Sequence, residues 1–249
     1  MSALLPERFF THAQLALARA VADGDAARIA TLAADTDLAT PGAEGMTLLA
    51  FALARAAAGD GGALAAVSAL VRAGADALHQ QVEGVGTAVD LACAAATPDL
   101  LAALLDGGVA PGARVSGTTP ILFRAAHEGS PGNVAMLVAR GADVNARDVL
   151  GTPAVTYALR ALQLDQVDEL LAYGADPSAV NLRGESFLYV LHALMARQEP
   201  DSPAYRKMSA IAARYRWDGA PWPPDPPEVE RDRLRARGIT PIVPAGLPR

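Results

Sequence analysis

The residue types that could bind a metal or attack a substrate are few in this chain, and they do not cluster. The four histidines, His12, His79, His127 and His192, stand far apart, and none pairs with a cysteine or another histidine at metal-ligand spacing. His127-Glu128 lacks the second histidine that a zinc-binding helix would carry one turn further on. The single cysteine, Cys93, lies in the alanine-rich run LACAAA with no basic residue near it in sequence. It reads as a small core residue rather than an activated thiolate, and one cysteine cannot close an intramolecular disulfide. Gly84 and Gly86 in VEGVGTAVD hint at a phosphate loop, but the third glycine and the following Lys-Ser/Thr are missing, so a hairpin tip is the better reading. Asp60, Asp76, Asp143 and Asp176 have no convergent partner in sequence; turn and cap roles suit them better than general acid or base work. With no nucleophile elbow and no paired acidic motif, the expectation is a protein without catalytic residues, metal or cofactor.

The elements that must carry these residues can be read from composition. Hydrophobic residues make up 51% of the 249, yet aromatics only 5%. Alanine and leucine supply the apolar content, which suits closely packed helices rather than a sandwich of β-branched strands. A net charge of −6 gives no overall basic footprint for nucleic acid. Charge is uneven, though: the stretch from Tyr205 to Arg249 carries +4 and the remainder −10. A solvated basic terminal helix is the plain reading of that tail, and a docking role is the alternative. The start, MSALLPERFFTHAQLALARA, is a poor secretory signal because Glu7, Arg8 and His12 interrupt it. No run approaches the ~20 apolar residues needed to span a bilayer. A soluble, cytoplasmic protein is expected, with a periplasmic location the alternative if an export signal lies outside this sequence.

Self-comparison is more informative. RAGAD, DGGV, RGAD and YGAD begin their glycines at Gly74, Gly107, Gly141 and Gly174, with spacings of 33, 34 and 33. A second series follows about ten residues later: GTAVDLACAAA from Gly86, GTTPILFRAA from Gly117, GTPAVTYALRA from Gly151 and GESFLYVLHAL from Gly184. GMTLLAFALARAAAGD, from Gly45, begins it early, in a unit lengthened by AAAGDGGA. In each unit a Thr or Thr-Pro is placed to open a first helix, small residues let helices approach closely, and leucine and valine recur at helical spacing in a second helix. The glycine after the second helix suits a left-handed terminating residue, and Asp or Asn then shapes the turn.

This pattern, carried by GADVNARDVLGTP and GTTPILFRAAHEG and by the period of 33 to 34, resembles the ankyrin-repeat family. The expected fold is an all-α ankyrin-repeat solenoid of antiparallel helix pairs with hairpin loops, followed by a Pro-rich C-terminal extension. Residues 1–218 would form the repeat domain, with an N-terminal cap over 9–40 and repeats starting near 45, 86, 117, 151 and 184. Residues 219–249 would supply the Pro-rich segment, a short charged helix and an irregular tail. Ala50, Asp90 and Val155 stand where the family has a histidine after Thr-Pro-Leu.

The resemblance implies a non-catalytic protein-binding module, a monomer when unbound, that offers a concave face and a row of loop tips. Loop candidates are His79, Gln80, Gln81, Glu83, Arg114, Ser116, Arg147, Asp148, Asn181, Arg183 and Glu185. First-helix candidates are Phe51, Asp90, Arg124, Tyr157, Arg160 and Tyr189, whereas Asn145 matches a structural turn position. Trp217 and Trp222 are candidates too, either as partner anchors or as clamps for the tail. A narrower likeness lies in the cap LALARAVADGD, the run GMTLLAFAL and the terminal YRKMSAIAARYRWDGAPWPPDPPE. That arrangement is similar to bacterial ankyrin proteins encoded beside secreted antibacterial effectors, particularly phospholipases. It implies an immunity protein that sterically blocks a cognate effector. Twenty Arg against one Lys fits a high-GC bacterial gene. The alternative is a general regulatory or structural scaffold in the cytoplasm.

Overall fold

The computed structural model describes residues 4–80, 86–128, 130, 132–215 and 222–244, of which Tyr215 is described in its backbone alone. Gln81, Glu83 and Trp217 lie outside the described residues. The chain forms two compact units, one of Met1–Arg124 with Ser130–Arg140, the other of Ala125–Gly129 with Gly141–Arg249.

In the first unit a one-turn helix α1 (Pro6–Phe9) precedes the pair α2 (His12–Asp23) and α3 (Ala26–Ala33). The pairs α4 (Leu48–Ala57) with α5 (Ala63–Arg72), and α6 (Ala88–Ala94) with α7 (Asp99–Asp106), follow. The small hairpin β1 (Arg114–Val115) and β2 (Thr119–Pro120) then leads into α8 (Ile121–Glu128), which begins in the first unit and ends in the second; α9 (Asn133–Ala139) belongs to the first. The second unit contains α10 (Ala154–Arg160), α11 (Leu164–Ala172), α12 (Phe187–Met195), α13 (Pro203–Tyr215) and α14 (Pro227–Ala236).

Hydroxyl caps open several first helices, as the Thr pattern predicts. The Thr47 Oγ1 accepts the Ala50 N–H at 3.0 Å, and the Ser186 Oγ accepts the Tyr189 N–H at 3.1 Å. Thr87 and Asp90 form a reciprocal capping box: Thr87 Oγ1 takes the Asp90 N–H at 3.2 Å, and Asp90 Oδ2 takes the Thr87 N–H at 2.8 Å. At α10 the proline sits one position earlier than a first-turn proline would. Pro153 is the extended residue before the helix, and its carbonyl receives the Thr156 N–H at 3.1 Å.

The turns follow one rule. Asp60, Asp76, Asp143 and Asp176 each accept a backbone N–H two residues on, from Gly62, Leu78, Asn145 and Ser178 at 3.2, 2.9, 2.9 and 2.8 Å. Asn145 goes further: its Nδ2 donates to the Gly174 carbonyl at 3.1 Å, and its Oδ1 accepts the Asp176 N–H at 2.8 Å, which ties one turn to the next. After the Asp143 and Asp176 turns the chain bridges at Arg147↔Pro153 and Val180↔Ser186, and the Arg114↔Pro120 pair stands one station earlier, so these pairings recur every 33 residues.

At the N-terminal end the lengthened loop has a use. Arg55 on α4 donates to the carbonyls of Leu4 and Ala22 at 3.2 and 3.1 Å and pairs with Asp60 of the inserted run. Beneath it Phe9, Phe10 and Phe51 are buried together, with Phe10 and Phe51 edge-on at 5.4 Å. Phe51 is 0% exposed, which corrects its assignment to an exposed recognition face. The N-terminal α1 delivers two phenylalanines onto it.

One glycine assignment also changes. The left-handed residues after the second helices are Gly74, Gly108, Gly141 and Gly174, with φ of 102°, 115°, 97° and 90°. Gly107 instead keeps helical geometry at φ −72° and is needed for close approach, since a Cβ there would lie 2.6 Å from the Val71 Cβ on α5. Gly107→Ala should therefore destabilise the protein by about 1–3 kcal/mol through overpacking, and it should cost less in a Val71→Gly background, where the opposing Cβ is gone. Gly108→Ala is strained by its backbone in open space, so Val71→Gly should recover none of its cost. Urea unfolding of both glycine variants in each background checks this; equal rescue of both glycine variants would contradict it.

Candidate partner-binding site

The hairpins hold their shape with side chains that the sequence offered as recognition residues. In the first unit the Arg114 Nη1 donates to the Thr118 carbonyl at 2.6 Å. Arg147, its equivalent 33 residues on, donates through Nη1 to the carbonyls of Gly151 and Val180, both at 3.1 Å. Each arginine bonds across its own hairpin, and both residues are exposed.

Asp148 anchors the next step. Its Oδ1 accepts the N–H groups of Leu150 and Thr152 at 2.8 and 2.7 Å, and its Oδ2 accepts the Tyr157 hydroxyl at 2.8 Å. Asn181 repeats this 33 residues later: its Oδ1 accepts the N–H groups of Arg183 and Glu185 at 2.9 and 3.0 Å. The Asn181 Nδ2 also donates to Glu185 Oε2 at 2.9 Å, and Arg160 pairs with that same oxygen at 2.7 Å. These groups line a concavity of about 240 Å³ together with Leu150, Thr152 and Arg183. The structure thus brings together six residues chosen from sequence: Asp148, Tyr157 and Arg160, with Asn181, Arg183 and Glu185 of the next hairpin. A larger concavity of about 620 Å³ lies along Arg235, Gly238–Pro241 and Val243, but among the described residues it gathers a single charged side chain, so the convergent polar chemistry described is at the smaller one.

Chemically the smaller concavity is a surface of alternating charge. Two arginines face two carboxylates, the carboxylates are engaged by backbone N–H groups, a hydroxyl and a guanidinium, and Thr152 is buried. Such an arrangement can orient and pair with a polar or charged segment of another molecule. Among the described residues, no group of three His, Cys, Asp or Glu side chains is placed to hold a metal. No helix among them is long and apolar enough to cross a membrane.

The other sequence candidates stand elsewhere. His79 sits at a first-unit turn, with its Nδ1 3.3 Å from Asp76 Oδ1. Partial burial would raise the pKa of Asp76, but the N–H groups of Leu78 and His79 and the His79 ring outweigh it and hold the carboxyl below its ordinary value. Asp90 is committed to its capping box and to an ion pair with Arg124 at 3.2 Å. Tyr189 follows the Ser186 cap and is partly buried, and Trp222 lies edge-on to His192 of α12 at 5.2 Å. Sequence reasoning gave no role to Leu150 and read Thr152 only as opening a helix, yet the usable signal was present: Asp148 and Asn181 are one register apart, so the residues two and four positions beyond each face the same loop.

Comparisons with known proteins agree with the repeat fold. The family model for the ankyrin repeat matches residues 116–149. Over 153 residues the chain is 37% identical to the E3 ubiquitin-protein ligase KEG of Arabidopsis thaliana; the match covers 60% of this chain and 9% of that protein, so the chain spans less than a tenth of that relative's length. Among solved structures, the ankyrin repeat domain of Bcl-3, a member of the IkappaB protein family, is similar with a TM-score of 0.56 and 27% identity, covering 72% of this chain and 81% of that one. The ankyrin repeat protein EF0377 has a TM-score of 0.55 at 22% identity, covering 80% of this chain and 97% of that one, and speaks for the fold alone. The fold is the ankyrin-repeat solenoid, and the family is supported by its repeat model and by these structures. Ankyrin repeats indicate a protein-interaction module.

Asp148 and Asn181 set a direct test of how the loop is held. Asp148→Asn keeps the oxygen that caps the loop and should cost under about 1 kcal/mol, whereas Asp148→Ala strands two backbone N–H groups and the Tyr157 hydroxyl and should cost about 1–3 kcal/mol. Urea unfolding distinguishes them; equal stability of the two variants would contradict the assigned role.

Proposed function

We propose that this protein is a non-catalytic binding module whose second unit receives a partner protein at the concavity between the 147–153 and 180–186 hairpins. The observation that carries the reading is the convergence of Asp148, Tyr157, Arg160, Arg183 and Glu185 on one cavity of a repeat fold, where charges are already oriented by the loops. Preorganised side chains lose little freedom on binding, and arginine and tyrosine are common anchors at protein interfaces.

The finer reading is an immunity protein that blocks a secreted bacterial effector of the phospholipase type by covering its substrate or membrane face. It rests on the sequence likeness of the cap, the early Gly45 unit and the terminal YRKMSAIAARYRW run to bacterial ankyrin proteins of that role. The mechanism is steric: the bound repeats exclude lipid from the effector without any bond being made or broken. The repeat domain, residues 1–218, would supply the contact. A general intracellular regulatory scaffold is the competing reading, and gene neighbourhood separates the two at the outset.

The decisive experiment uses the product of any lipase-type effector gene that neighbours this one. Purified protein should inhibit its lipase activity at a one-to-one ratio. The Arg160→Glu/Arg183→Glu variant should bind at least tenfold more weakly, with unchanged circular dichroism and melting temperature. Absence of binding by the wild-type chain, or inhibition untouched by the double variant, would refute the proposal.

A further inference from the structure

In the second unit one hairpin is joined to the next by a backbone hydrogen bond. The Leu182 N–H donates to the Leu150 carbonyl at 2.8 Å. Leu182 lies on the 180–186 hairpin, the last one among the described residues, and its own carbonyl is not left open. It accepts the N–H of Ile242 at 2.7 Å. Ile242 belongs to no hairpin; residues 239–244 run without regular secondary structure after α14.

The helix before it fits the same hairpin closely. A Cβ on Gly184 would overlap the Pro227 carbonyl oxygen and come within 3.0 Å of Arg231 Cγ. At the corresponding Gly151 the nearest atoms are Asn181 Cα and Leu182 N of the following hairpin, at 3.8 Å. The space that one hairpin gives to the next is given, at Gly184, to the first turn of α14. Arg231 is 4% exposed although it sits in the charged run PEVERDRLRARG, and Leu234 is buried beside it. Its Nη1 donates to the Arg183 carbonyl at 3.1 Å and its Nη2 to Glu228 Oε1 at 2.9 Å. An arginine is buried at this cost only where its charge is well met.

We propose that the edge of the last hairpin, Leu182–Gly184, is a peptide-acceptor surface, and that residues 227–244 are its resident occupant, standing where the hairpin of a further repeat would stand. The chemistry that fits it is a short proline-opened helix with an arginine at its fifth residue, followed by an extended apolar segment that donates a backbone N–H. Exposed hairpin edges recruit extended chain by backbone pairing, so an occupied edge withholds this surface from other segments. The inference is independent of the partner assigned to the 148–185 concavity.

The test uses the full-length chain with Arg231→Ala and Ile242→Pro together, which removes the buried guanidinium and the donated N–H. Two readouts are taken: hydrogen exchange across 227–244, and fluorescence anisotropy with a synthetic peptide of residues 226–244. Exchange should quicken at least tenfold in that segment. The labelled peptide should bind the variant at least tenfold more tightly than the wild type, in which a tethered tail competes at millimolar effective concentration. Unchanged exchange overturns the proposal, and so does a released tail whose vacated edge binds the peptide no better than wild type. Should the double variant fail to fold by circular dichroism, Gly184→Ala is compared with Gly151→Ala, which shares the positive φ without the clash. Faster tail exchange in the first alone supports the proposal, and equal exchange in both overturns it.

Discussion

Every handover from one helix pair to the next in this chain exposes backbone N–H and carbonyl groups that must find partners, and short oxygen-bearing side chains meet that demand. An unpaired buried amide costs about 1–3 kcal/mol, comparable to the whole benefit of burying a leucine. The Thr47 hydroxyl removes such a cost at a buried N–H and those of Thr87 and Ser186 at partly buried ones, while the aspartates at 60, 76, 143 and 176 and the amide of Asn145 pair turn groups nearer the solvent. With the turns closed, small residues in the helices bring leucine, valine and phenylalanine side chains into contact, and the core forms from local pieces.

The same constraint shapes the candidate site. Asp148 and Asn181 are first of all loop caps, yet the cap leaves one Asp148 oxygen for Tyr157 and directs Asn181 toward Glu185, which in turn holds Arg160. The proposed recognition chemistry would thus rest on residues whose first duty is structural. A partner docking there would meet charges fixed in place, in a setting where steering and specificity gain more than raw affinity does.

Much of this was legible in the sequence because the repeat places like residues at like stations. The period, the Thr caps and the turn aspartates all follow from local rules that act within a few residues. The misreadings arose where distant chain decides. Phe51 reads as a face residue by its position in the repeat, but α1, itself outside the repeat pattern, brings Phe9 and Phe10 against it. Gly107 and Gly108 are equivalent in the string DGGV, and only the packing of Val71 tells which one must be left-handed. Arg231 sits in a strongly charged run, and its burial depends on the Arg183 carbonyl 48 residues earlier. The convergence on the second-unit concavity needed the hairpins in register; single residues such as Arg160 and Arg183 carry no sign of it.

The account's central claim is that the hairpin concavity of the second unit is where a partner protein lands. Hydrogen exchange of the full chain, with and without a bound partner protein, tests it most directly. Protection should appear over residues 148–160 and 181–185 on complex formation. A complex that forms with protection confined to other segments, and none in these two, would contradict it.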